Sequence, residues 1–200
     1  MKIKACSWFI LVTLLFMILS ECSQSSSETP ATLVNTAHLD HLYQEIVLDS
    51  LPAALIYIYA DHPDYHWVAA EGEGIACVDD VARAAVFYLR HYAYFQEEAS
   101  LRKARKLLQF VLDMQAENGQ FYNFVYEDLS INKTRHNSRA RADWWTWRAL
   151  WALAEGNSVY QTIDPGFARQ LSESIEKTLP TIDSLLQHYP EATYYQEFIQ

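Results

Sequence analysis

The sequence predicts an all-α fold built of helical hairpins. Three observations point there: one segment with an apolar stripe at helical spacing, two segments apolar almost all round, and connections that alternate between long and short. Half of the 200 residues are apolar, with only five Gly and six Pro. That composition is globular, and the length suits one domain or part of a larger one.

The first 21 residues stand apart from the fold. "MKIK" supplies a positive start and "SWFILVTLLFMIL" an apolar run too short for a comfortable membrane span, the pattern of a secretory signal. "LSECSQSSSETP" follows, a Ser-rich polar tether over residues 22–32. "LSEC" resembles the bacterial lipoprotein signal, which implies cleavage before Cys22 and lipidation of its thiol, with Glu21 departing from the small residue usual there. The expected location is the cell envelope, lipid-anchored at the outer membrane or in the periplasm, with the membrane as a partner. Ordinary secretion and an uncleaved anchor stay open beside it.

The remaining residues, 33–200, form the expected domain, with five helical segments. The first runs from about Thr36 to Ala60, interrupted at Pro52. The second runs from about Cys77 to Phe95. The third, "SLRKARKLLQFVLDMQAE", places Leu101, Leu107, Leu108, Val111 and Met114 on one stripe with basic residues opposite, and Asn118-Gly119 stops it. The fourth runs from about Asp143 to Glu155, stopped by Gly156. The fifth begins near Asp164-Pro165 and reaches about Gln187, interrupted at Pro180. The amphipathic third helix reads as outer, and the apolar second and fourth read as inner.

About sixteen residues separate the first and second helices, and about two dozen the third and fourth, whereas the other links are short. In antiparallel hairpins the long links gather at one end, and long ordered connections are often functional. Asp79-Asp80 and Asp143-Trp144-Trp145 thereby fall on one rim, at the starts of the inner helices. Leu51-Pro52 followed by "HPDYHW" is echoed by Leu179-Pro180 followed by "YPEATY", a weak internal repeat.

Three blocks, "GEGIACVDDVARAA" (Gly72 to Ala85), "NGQFYNFVYED" (Asn118 to Asp128) and "DWWTWRALWALAEG" (Asp143 to Gly156), carry a resemblance to the six-hairpin glycosidase superfamily. The resemblance implies an (α/α)6 toroid of twelve helices. This chain supplies about five of them, an N-terminal half whose partner would be the missing C-terminal half. It also implies a carbohydrate-active protein with a glycan or oligosaccharide as ligand.

Glycoside hydrolysis needs two carboxyl groups flanking one bond. Asp79 and Asp80 are the catalytic candidates, although consecutive helical residues diverge by ~100°. Both also suit the acidic first turn of a helix, and Arg83 stands at i+4 to pair with Asp79. Trp144 and Trp145 offer rings on which pyranose faces stack, while Trp147 and Trp151 read as core. Trp67, Tyr122, Asn123, Arg83 and Asp143 complete the substrate-binding candidates. Glu73, Glu127 and Asp128 are reserve carboxylates on the long loops.

Without residues 1–21, which hold two Lys and one Glu, 13 basic and 24 acidic side chains remain, a formal −11. That balance argues against nucleic acid. Cys77 alone remains in the domain, so neither a disulfide framework nor a cysteine zinc site can be built there. The histidines of helix one and of "DHPDYHW" match no metal spacing, and no phosphate loop or nucleophile elbow is present. No cofactor is expected. The leading expectation is an exported glycoside hydrolase-like protein. A non-catalytic glycan-binding or assembly lipoprotein is the alternative, and a polysaccharide lyase or sugar epimerase a further one.

Overall fold

The computed structural model describes residues 34–48 and 50–188. The signal-like segment, Cys22, the tether and the echo "YPEATY" lie outside the described residues. The chain divides after Thr36; of the first unit only residues 34–36 are described, without regular structure, and all that follows concerns the second.

The fold is mainly helical, with small two-stranded sheets added. In chain order the elements are α1 (Ala37–Leu42), β1 (Tyr43–Leu48), β2 (Leu51–Ile56), β3 (Tyr59–Asp61), β4 (His66–Val68), β5 (Ala76–Cys77), α2 (Val78–Phe95), α3 (Glu98–Asp113), β6 (Phe124–Val125), α4 (Trp144–Ile163) and α5 (Pro165–Gln187). β1 pairs with β2, β3 with β4 and β5 with β6, all antiparallel.

The expectation of an all-α domain is therefore corrected at its first element. The helix expected from Thr36 to Ala60 is one short helix followed by a β-hairpin with Tyr43 opposite Ile56 and Leu48 opposite Leu51. Ile46, Val47, Ile56 and Tyr43 are β-branched or aromatic and fit a pleated surface better than a helix. Pro52 is tolerated because a two-stranded sheet consists only of edges. Ala53 to Ile56 are buried without alternation, because α3 packs on this strand.

α2 packs against both α3 and α4, and α5 packs on α4. The core lies between them. Phe110, Leu107, Leu108, Leu153, Tyr160 and Trp145 are essentially inaccessible, and each such aliphatic or Phe side chain contributes about 1.5–3 kcal/mol by its burial. α2 ends at Gln96, left-handed at φ 56°, whose backbone N–H and side-chain Nε2 both donate to Tyr92 O. α3 turns its basic face to use: Lys103 pairs with Asp40 at 2.5 Å, Lys106 with Glu45 at 2.6 Å and Arg105 with Asp164 at 3.3 Å. Exposed pairs of this kind contribute about 0–1 kcal/mol each; here they tie α1, β1 and the start of α5 to one helix.

Three expected boundaries move. α3 stops at Met114, ahead of Asn118-Gly119. Gly156 does not stop α4 but lies inside it, where a Cβ would stand 2.5 Å from Leu108 Cδ1 and 3.2 Å from Leu171 Cδ1. The missing side chain lets α4 approach α3 and α5 closely. The connection to α5 shrinks to Asp164, whose carboxylate accepts from Phe167 N–H at 3.0 Å and caps the helix, with Pro165 at the tolerated first position. Finally, α5 runs unbroken through Pro180. Leu51-Pro52 in a strand and Leu179-Pro180 in a helix share no structural setting, so this part of the echo has no counterpart among the described residues.

Candidate functional site

Two loops converge on the start of α2. β5, the lead-in to the helix, pairs with β6 of the loop joining α3 to α4, and Ile75 N–H donates to Val125 O at 2.9 Å. Gly74 makes the approach possible. Its φ of +140° is open mainly to glycine, and a Cβ would stand 2.0 Å from Val125 O. Asn132 Nδ2 donates to the carbonyls of Gly72 and Glu73, and Asn137 Nδ2 to Glu73 Oε1 at 2.6 Å. The reserve carboxylate Glu73 thus holds one rim loop to the other. Asp128 accepts from Ser130 N–H at 2.9 Å within its own turn, while Glu127 is exposed.

The α2 N-terminus has no cap from Cys77. Asn123 serves instead: its carbonyl accepts from Val78 N–H at 2.8 Å, and its Oδ1 lies 3.4 Å from Asp79 N. At 2% exposure, Asn123 is an anchor within the protein. Cys77 is buried, and its thiol donates to Asp80 Oδ2 at 3.2 Å. Burial first, and the charge of Asp80 second, push that thiol well above its ordinary pKa.

The two aspartates part company as helical geometry requires. Asp79 turns toward α4, where Arg148 Nε lies 3.2 Å from its Oδ1. The angle there makes no hydrogen bond, and this buried oxygen has no other partner among the described residues. Asp80 turns the other way, into a groove of about 370 Å3 walled by Leu39, Leu42, Ile56, Tyr57 and Phe87. Arg83 bridges the pair, its Nη2 donating to Asp79 Oδ2 at 3.2 Å and also to Asp80 Oδ1. One guanidinium therefore occupies an oxygen of each carboxylate.

The tryptophans also divide. Trp144 is 53% exposed at the first position of α4, whereas Trp145 is fully buried. Trp145 Nε1 donates to Phe121 O at 2.7 Å, and its ring meets Trp144 edge-on with centroids 4.9 Å apart. As the chain is arranged, Trp145 offers no face to a ligand. Asp143 accepts from Trp144 N–H at 2.8 Å and pairs with Arg141 at 2.7 Å, which makes it the cap of α4. Tyr122 is half-buried with Lys133 Nζ 5.5 Å from its ring centre. Trp67 stacks on Tyr57, centroids 4.8 Å apart, over the β3–β4 hairpin.

Sequence reasoning passed over Arg148, Arg90 and Glu155. Arg148 stands one turn below Trp144 on the same face of α4. Its guanidinium lies 5.8 Å from the Trp151 ring centre, and that of Arg90 on α2 lies 5.5 Å from it. Arg90 donates through Nε and Nη2 to Glu155, which also accepts from Trp151 Nε1 at 2.9 Å. The Arg90 hydrogen bond, above all, holds the Glu155 carboxyl below its usual range. The signal for these residues was the i+4 and i+7 spacing from Trp144 (Arg148, then Trp151). An exposed face of α2 and α4 thus carries Trp144, Arg148, Asp79, Arg83, Trp151, Arg90 and Glu155.

Among the described residues, no group of three or more His, Cys, Asp or Glu is placed to hold a metal ion, and no helix is long and apolar enough to cross a membrane. No protein-family model matches the sequence, and no curated protein matches it.

Proposed function

We propose that the protein is carbohydrate-active and that its glycan site lies on the joint face at the N-termini of α2 and α4. The observation that carries the reading is the meeting of Asp79 with Arg148 across the two helices, one turn from the exposed Trp144. A ring for the apolar face of a sugar, with charged hydrogen-bonding groups beside it, is the usual composition of such a site. The adjacency of α2 and α4, with α3 and α5 packed behind them, supports the finer proposal of a partial (α/α)6 toroid. On that reading α2 and α4 are inner helices and the chain pairs with further hairpins.

Within this reading the parent activity is glycoside hydrolase-like, and Asp79, the carboxylate nearest the glycan face, would act only once Arg148 and Arg83 release it. Asp80 belongs to the opposite groove and to Arg83, so a second catalytic carboxyl would come from elsewhere. The bridging of both aspartates by Arg83 favours the alternative, a non-catalytic glycan-binding lipoprotein. Export and lipid attachment at Cys22 belong to the same proposal and rest on the N-terminal sequence pattern.

A glycan panel tests it. The full chain, Asp79→Asn and Asp80→Asn are assayed for binding and for release of reducing ends. Binding with turnover lost in Asp79→Asn supports the hydrolase. Binding without turnover in any form supports the binding protein, and binding to no glycan overturns both.

A further inference from the structure

We infer that the ligand of the α2–α4 face carries a carboxylate, and that Arg148 is the side chain that recognises it: the glycan is an acidic, uronate-bearing one. The inference rests on the carbohydrate reading and narrows it.

The face is unevenly supplied with unused hydrogen-bonding capacity. On this face the acceptors are taken. Asp79 Oδ2 is held by Arg83 and Glu155 by Arg90 and Trp151, while Asp80, turned to the opposite groove, is held by Arg83 and Cys77. Asp79 Oδ1 is unpartnered, but it is buried beneath Arg148 and closed to a ligand. The donors are not taken. Arg148 touches Asp79 only through Nε, and neither of its terminal nitrogens has a partner among the described residues. Arg83 Nη1 is likewise without one. These side chains are about half exposed, at 47% and 50%.

A neutral sugar presents hydroxyls that both donate and accept, and it is matched best by mixed partners. A face whose guanidinium donors are free, while its carboxylates already face arginines of the protein, matches a group that only accepts. A carboxylate does so, and the planar guanidinium fork takes its two oxygens together. The ring of Trp144, exposed one turn above Arg148, suits the apolar face of the same sugar unit. Asp79 and Trp151 flank Arg148, the carboxylate 3.2 Å from its Nε and the ring centre 5.8 Å from its guanidinium carbon. The ion pair with Asp79 is thus a positioning contact, made through Nε and leaving Nη1 and Nη2 without a protein partner among the described residues.

The test uses the full chain and calorimetric titration with oligomers of galacturonate, glucuronate and mannuronate, each alongside its carboxyl-reduced neutral counterpart of the same configuration. The expected result is that a uronate oligomer binds at least about tenfold more tightly than its reduced form, with the difference shrinking as salt rises. Arg148→Gln abolishes that preference, and Arg148→Lys, which keeps charge without the fork, retains only part of it. Arg105→Gln, beside Asp164 at the far end of α4, keeps it. If Arg148→Gln does not fold by circular dichroism, Arg148→Lys decides, and an undiminished preference there overturns the inference. Equal binding of uronate and reduced oligomers overturns it while leaving the carbohydrate reading standing. Binding of oligoglutamate as tight as the uronate overturns the sugar assignment, and binding of none of these probes nor of any neutral glycan removes both readings.

Discussion

Asp79 on α2 and Arg148 on α4 meet across the helix pair, with Oδ1 3.2 Å from Nε. Coupling between them in a double-mutant cycle of Asp79→Asn and Arg148→Gln should be about 0.2–1 kcal/mol, because Arg148 is half exposed and the contact lacks hydrogen-bond geometry. Asp79→Asn alone should lose a further ~0.3–1 kcal/mol through the helix N-terminus. Urea unfolding measures both, and zero coupling would mean that the contact contributes nothing to stability.

Trp144 and Trp145 should behave as opposites. Trp145→Ala removes a fully buried ring and its hydrogen bond to Phe121, a loss of about 3–5 kcal/mol. Trp144→Ala should cost under about 1 kcal/mol and be felt in glycan binding instead. Thermal melts followed by far-UV circular dichroism separate the two, and equal losses would contradict the burial difference.

Asn123→Ala should destabilise the protein by about 1–3 kcal/mol, since it removes a buried amide that serves the α2 N-terminus and Asn137 O. Amide hydrogen exchange should then quicken at Asp79 more than at mid-helix positions such as Ala85. Uniform change along α2 would deny the capping role.

Gly156→Ala sets two effects against each other. Helix propensity favours Ala by ~1 kcal/mol, but the new methyl meets Leu108 and Leu171 in the closed core. Overpacking of about 1–3 kcal/mol should win. A raised melting temperature would show that the leucines yield.

Asp164 gives a pH dependence of known sign. The Phe167 backbone N–H first, and Arg105 after it, hold its carboxyl below the ordinary 3.8. The unfolded chain then takes up the proton first as pH falls. The cap's contribution is therefore full above about 3.8 and disappears as pH drops through the lower folded value. Asp164→Ala should cost about 1 kcal/mol at neutral pH, with the gap from wild type closing in acid. A pH-independent gap would assign the effect to packing.

Much of the helical layout was legible because α3 carries an apolar stripe at helical spacing, α2 and α4 are apolar on most sides, and α5 opens on Asp164-Pro165. The β1–β2 hairpin was not. Ala53 to Ile56 form a short apolar run buried without alternation, which periodicity cannot tell from a helix segment. Gly156 shows the converse: a glycine flanked by polar residues reads as a stop, and only the neighbouring leucines reveal it as a contact. In the candidate site, the divergence of Asp79 from Asp80 and of Trp144 from Trp145 follows from helical geometry. Which member of each pair faces outward depends on α4 packing beside α2, and no local pattern encodes that. Arg148 escaped notice for the same reason, since its partner lies 69 positions earlier in the chain.

The rim loop has one more dependence. Gly119 lies so close to α5 that a Cβ there would stand 1.9 Å from Lys177 O, and its carbonyl accepts from Thr178 Oγ1 at 2.8 Å. Gln115 Nε2 donates to Ser174 O at 2.8 Å, and Gln120 reaches Thr181. Those bonds hold the stretch that carries Asn123, which in turn holds the first turn of α2. During synthesis, then, the aspartates are made early but their surroundings are finished late. The ribosome must release the chain beyond Thr181 before these fastenings to α5 can form. Until that point a nascent chain can pair α2 with α3, yet the first turn of α2 lacks its full support and is open to misassembly.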